Sequence, residues 1–281
     1  NLSAAVGPFA IDEGMVEAIE PLTIVEIFNQ NTGKMIFVEV PVKDGLAVVD
    51  GDCMIAGVHK SGAPIHVRFN DPGGSVTNAL FPTGNRCDSI SSGNGQNIEV
   101  SLVDAGNPTV FVHSEDVGLT GNESPAEVND NKNIMTRLES VRGWAAQACG
   151  LITKEQEAAS SSPAIPKIAI VSPSRDSEDA QFKATMISMG KTHEAFALTG
   201  AIAVASAAKM ENTIVHSVAR RSKDSDVTFQ HPSGLMTLQV EVSDNGSGNP
   251  KILWVSTVRT ARKLMQGFVR VPEKILQKEK E

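Results

Sequence analysis

Two stretches of the chain are apolar around nearly their whole circumference, and they restrict the fold more than any other feature. Residues 3–19 read SAAVGPFAIDEGMVEAI, and residues 199–209 read TGAIAVASAAK. Both carry the Ala-rich composition of a helix, the first interrupted at Gly7-Pro8. A helix without a polar face has to be surrounded by other elements. A sheet wrapped around each helix would do this, with helices layered on a flatter sheet as the alternative. The stretches Asn1–Val6 and Thr199–Val204 occupy equivalent places, which points to an internal duplication.

The segments around these helices have the period of strands. LTIVEIFN, KMIFVEVPV and LAVV follow one another over 22–49, separated by Asn31-Thr32-Gly33-Lys34 and Lys43-Asp44-Gly45. Period-two alternation interrupted by Gly/Asn turns predicts an antiparallel meander. A Gly/Pro/Asn-rich stretch at 70–97 marks a domain boundary near residue 70. NIEVSLVDAGNPTVFVHS reads as a strand pair around Gly106-Asn107-Pro108, and residues 125–158 show helical spacing at Leu138, Val141, Trp144, Ala145 and Ala148. KIAIVSP reads as a buried strand. Further strands are expected at DVTFQHP, LMTLQVEV and KILWVSTV, with GFVRV closing the chain.

The 281 residues allow two domains. A formal net charge of −8 argues against a nucleic-acid footprint, which needs a clustered basic surface. Apolar runs fall short of the ~18–20 residues of a membrane-spanning helix, and residues 1–11 lack the basic start of a signal peptide. Cys53, Cys87 and Cys149 are widely spaced and odd in number, which fits a reducing compartment, the cytoplasm. Neither these cysteines nor His59, His66, His113 and His216 have metal-ligand spacing, so no metal is expected.

Candidate chemistry lies first at the two helix N-termini, whose unpaired N–H groups can hold a carboxylate. Asn1, Leu2 and Ser3 serve one end, Thr199 and Gly200 the other; ordinary capping is the competing explanation. Asn107, in the turn between two strands, is the next candidate. Ser172 and Arg175 follow at the end of the buried strand, and Met189, Gly190, Lys191 and His193 just precede the second helix. Arg175, Lys191 and His193 are suited to pairing with an anion. His231-Pro232-Ser233-Gly234 reads as a hairpin turn with a possible substrate-facing edge; Ser233 has no nucleophile-elbow context.

Taken in order, several motifs resemble one family across nearly the whole chain. They are NLSAAVGPFAIDEG, GAPIHVRFNDPGGSVTNALFPTGN, LVDAGNPTVFV, EDVGLTGNESP, SPSRD, SMGKTHEAFALTGAIAVA, HPSG and RTARKLMQGFVRVP. Together they resemble the PrpF family of the diaminopimelate epimerase-like superfamily. The resemblance implies an α+β fold of two pseudo-symmetric domains, each a curled, mainly antiparallel sheet around a central helix, with the site in the cleft between them. The expected division is 1–70 plus 258–281 for domain one and 71–257 for domain two.

Members of that family isomerise 2-methylaconitate or aconitate, shift the double bond of methylitaconate, or tautomerise oxalomesaconate, without a cofactor. The expected partner is therefore a small polycarboxylate, with no nucleic acid or membrane, and a homodimer is possible. Asn1 and Asn107 match ligand-facing asparagines of the fold, and Thr199-Gly200 match the pair after a second catalytic cysteine of the epimerases. Ala197 stands at that cysteine's own position, which argues against amino-acid racemisation by a thiol pair. Glu194 and Leu198 stand where many relatives have His and Gly. The family's Cys-Gly falls immediately before Asn1, so the chain reads as N-terminally truncated. Its acid/base pair is not identified among these residues, and the isolated fragment is expected to be inactive; a non-catalytic relative is the remaining alternative.

Overall fold

The computed structural model describes residues 2–91, 97–222, 224–243 and 251–272. Helix α1 (Leu2–Asp12) leads into the expected meander of β1 (Leu22–Asn29), β2 (Lys34–Lys43) and β3 (Leu46–Ala47). Next come β4 (Ile65–Asn70), β5 (Asp88–Ser91), β6 (Asn97–Asp104) and β7 (Pro108–His113). The helical stretch divides into α2 (Pro125–Asp130), α3 (Lys132–Ala148) and the short α4 (Ala158–Ser161). The division falls at Asn131, whose side chain caps α3, while a Ser124–Glu127 capping box with Pro125 behind it starts α2. The chain continues through β8 (Lys167–Pro173), β9 (Phe182–Ser188), β10 (Lys191–Thr192), α5 (Leu198–Lys209), α6 (Ile214–Val218), β11 (Asp226–His231), β12 (Gly234–Ser243) and β13 (Lys251–Arg259).

The strands form one continuous sheet in the order β1-β2-β4-β13-β12-β11-β9-β8-β7-β6-β5, with β3 on β2 and β10 on β9. Neighbours are antiparallel except β7/β8 and β9/β11. The arrangement is the mixed, mainly antiparallel α+β fold that the sequence led us to expect. Strand β13 pairs with β12 on one side and β4 on the other, so it straddles the boundary expected at 257/258 and joins the two halves.

In the larger half the sheet curls around α5. One apolar cluster takes residues from α5 and from seven strands, among them Val103, Phe111, Ala169, Met186, Phe229, Leu238 and Val255. Leu198 and Gly200 through Ala208 are buried, so this helix is surrounded as its composition requires. The opposite face of β6–β8 packs on α3 through Leu102, Val110, Ile170, Leu138 and Val141. Each fully buried aliphatic side chain contributes roughly 1.5–3 kcal/mol.

Helix α1 differs from the expectation in two ways. It ends at Asp12 because Gly14 adopts a left-handed φ of 68°, with Gly14 N–H donating to the Ile11 carbonyl and Met15 N–H to that of Ala10. That pair of bonds is the Schellman stop. It also lies on the sheet by one side only. Ala4, Ala10 and Ile11 pack against Val38, Val40 and Val67, and Gly7 permits close approach to Val38 and Val40. Leu2 and Phe9 remain exposed. The closing segment GFVRV is not a strand: Phe268 and Val269 are exposed and pair with no strand among the described residues.

Candidate active site

The sheet register fixes which ends of the elements meet. β8 starts at Lys167 opposite the end of β9, and β7 runs parallel to it, starting at Pro108. The β6–β7 turn, the end of β9 and the start of α5 therefore gather at one end of the larger half. Gly106 holds a left-handed φ of 68°, and a Cβ there would stand 3.3 Å from Ile202. At Gly200 a Cβ would stand 2.0 Å from Met186 Cε. Glycine at both positions lets turn, strand and helix approach more closely than side chains would allow.

At that end α5 has no side-chain cap. Its N-cap residue is Ala197, and the first return bond runs from Ala201 N–H to the Ala197 carbonyl. The first-turn amides of Leu198, Thr199 and Gly200 therefore point outward, with the positive end of the helix dipole behind them. Asn107, on the adjoining turn, has a buried Oδ1 with no hydrogen-bond partner in the described structure. The turn is held from below by Asp104, whose carboxylate accepts from Ser75 Oγ, the amides of Val76 and Thr77, and Thr77 Oγ1.

Near the α5 start lie His231, which the sequence offers as a turn with a possible substrate-facing edge, and Arg259, which is not among the sequence candidates. His231 closes β11 with its ring near Phe196 and Phe229, at centroid distances of 6.5 and 6.3 Å. It is 4% exposed. Burial, and then the positive charges of Arg259 and His193, push its imidazole down to about 4, so the ring is neutral near pH 7. Ser233 N–H donates to Nδ1 at 3.2 Å, which places the ring proton on Nε2. That Nε2 is buried and without a partner in the described structure. His231, Thr257 and Arg259 line a cavity of about 510 Å³ together with Asp52, Met54 and His66. Arg259 is partly buried, and burial lowers its pKa. A signal for His231 existed in the alternation of β11, which puts Val227, Phe229 and His231 on one buried face.

The remaining predicted residues divide between places. His193 is exposed; its Nδ1 accepts from the Ala195 amide at 3.1 Å, and its own amide donates to the Met186 carbonyl. Thr199 and Gly200 sit in the first turn of α5. Met189 and Gly190 form the β9–β10 turn and, with Lys191 at the start of β10, line a separate groove of about 830 Å³ with Asn129, Lys132 and Met135. Ser172 and Arg175 lie toward the other end of β8, where Ser172 lines a small pocket with Ile170, Gly121 and Lys183 on the sheet face turned away from α5. There Ser172 is buried against Gly121, and Arg175 is exposed. Leu2 and Ser3 open α1 on the smaller half, and Asn1 lies outside the described residues. No group of three His, Cys, Asp or Glu side chains able to hold a metal occurs among the described residues. No described helix is long and apolar enough to cross a membrane.

Comparison with known proteins places these features in a family. The chain is 40% identical to 3-methylitaconate isomerase of Eubacterium barkeri, over 96% of this chain and 73% of that protein. It is 34% identical to 2-methyl-aconitate isomerase of Shewanella oneidensis, over 97% of this chain and 72% of that protein. The crystal structure of a methylitaconate-delta-isomerase superposes with a TM-score of 0.84 at 39% identity, covering 96% of this chain and 71% of that one. The family model described as PrpF protein matches residues 1–272, and the chain belongs to the PrpF family.

Proposed function

We propose that this chain binds an unsaturated di- or tricarboxylic acid and takes part in its isomerisation by proton transfer. The observation that carries the proposal is the uncapped α5 start, flanked by the Gly106-Asn107 turn, whose Asn107 Oδ1 is buried and unpartnered, and by Phe196 against the neutral His231 ring. The relatives named as methylitaconate and methyl-aconitate isomerases support the same class of substrate.

Removing an allylic proton next to a carboxylate leaves a dienolate, whose developing charge needs fixed donors. The amides of Thr199 and Gly200 supply such donors at a helix end, where the dipole adds about 0.3–1 kcal/mol for a negative charge. The proton then returns at the far carbon of the allylic system, which moves the double bond. Ala197 at the N-cap leaves this helix end without a thiol, so two-thiol racemisation of an amino acid gains no support here.

The test is deuterium incorporation. The polypeptide that carries this chain is incubated in D₂O with trans-aconitate, 2-methylaconitate, methylitaconate and oxalomesaconate, and proton spectra are followed. Exchange at an allylic position of at least one acid is expected. Absence of exchange with all of them, in folded protein, overturns the proposal.

A further inference from the structure

We propose that His231 and Arg259 form a second carboxylate-binding subsite, which selects polycarboxylates over monocarboxylates. The inference deepens the function proposed above and rests on it for the identity of the ligand.

Two independent features of the cavity ask for an anion. Arg259 is held by Thr257 Oγ1 at 3.3 Å, its neighbour's Val258 carbonyl at 2.7 Å and Met236 Sδ at 3.7 Å. It forms no ion pair among the described residues, although Asp52 and Asp226 line the same cavity. A partly buried guanidinium without a counter-charge is unfavourable, and a bound carboxylate would supply one. Beside it, the buried Nε2–H of His231 is a neutral donor with no acceptor in the described structure. A buried donor with its hydrogen bond unmade is unfavourable, and a bound acceptor would satisfy it.

The two side chains share a face for a topological reason. His231 ends β11 and Arg259 ends β13, on either side of β12, so the curl of the sheet brings both strand ends over one opening. Planar guanidinium and imidazole donors match the two oxygens of a carboxylate. The α5 start lies close by, since Phe196, one residue before the N-cap, packs against the His231 ring. One carboxylate at the helix end and another at His231 and Arg259 would hold an acid by two points. A monocarboxylate would use only the first.

The experiment compares trans-aconitate with crotonate by calorimetry, using the polypeptide that carries this chain and its R259Q, R259K and H231Q variants. R259Q and H231Q are expected to weaken trans-aconitate by roughly 10- to 100-fold, the range for a charge-assisted hydrogen bond, and crotonate by less than about threefold. R259K should fall between R259Q and the unaltered protein. Equal weakening of both acids would show a merely structural role, and unchanged binding of both would overturn the subsite outright. A readout that needs no variant is the Nε2–H proton resonance of His231. It should move on addition of trans-aconitate and stay in place with crotonate; no movement overturns the proposal. Arg259-dependent binding of trans-aconitate without exchange of any acid in D₂O would leave the subsite standing and remove the isomerase function.

Discussion

His231 should make the stability of the protein fall as the solution is acidified. In the unfolded chain its imidazole takes up a proton near the ordinary histidine value of 6.5, whereas in the folded protein burial, Arg259 and His193 delay this to about 4. Between those values the unfolded state binds more protons than the folded one. The stability is therefore fully present above pH 6.5 and is lost as the pH falls toward 4. At about 1.4 kcal/mol per unit, and allowing for relaxation of the site, the loss is on the order of 2 kcal/mol. The assay is urea unfolding of the unaltered protein and of H231Q from about pH 7.5 to about pH 4.5. H231Q keeps His59, His66, His113, His193 and His216, so the difference between the two pH slopes isolates this ring. The unaltered protein should lose stability more steeply than H231Q. Parallel slopes would refute the argument that His231 is held neutral by its surroundings.

Three further outcomes follow from the packing. Gly143→Ala would place a Cβ 2.7 Å from the Glu155 carbonyl oxygen, a backbone atom that cannot swing away; a loss of about 1–3 kcal/mol in urea unfolding is expected. Asp104→Asn removes acceptor capacity from the Ser75–Thr77 loop. It should cost roughly 1–3 kcal/mol and raise amide exchange at Val76 and Thr77. The Cys149 thiol is pushed up to about 12, chiefly by burial and then by the charge of Asp104. At neutral pH it should resist iodoacetamide in the folded protein and react once unfolded, as read by peptide mass spectrometry.

The strands and turns were legible because alternation and Gly/Asn punctuation are local properties. LTIVEIFN, KMIFVEVPV and KILWVSTV became strands as expected, and Gly106-Asn107 became the turn between β6 and β7. The apolar character of α5 announced its burial for the same reason. It could not tell what covers a helix, and α1, of similar composition, leaves Leu2 and Phe9 exposed. GFVRV has apolar residues but no partner strand among the described residues, and a strand exists only by pairing.

In the candidate site, the positions of Asn107, Thr199 and Gly200 in a turn and at a helix end were legible, because turns and helix ends carry chemical signals of their own. The separation of Ser172 and Arg175 from them was not. Which face of β8 turns toward α5 and which toward α3 is settled only when the layers pack, a long-range property. His231 was read as part of a turn, although its place after Val227 and Phe229 put it on the buried face. Arg259 opens the RTARKLMQGFVRVP motif, but its lack of an ion pair among the described residues is visible only once the fold is assembled.

The most direct test of the site's location is an amide and side-chain chemical-shift titration of the isotope-labelled chain with trans-aconitate. Shifts concentrated at Asn107, Thr199, Gly200 and His231 are predicted, with Ser172 and Arg175 unmoved. Shifts centred on Ser172 and Arg175 instead, or none at all, would contradict the account.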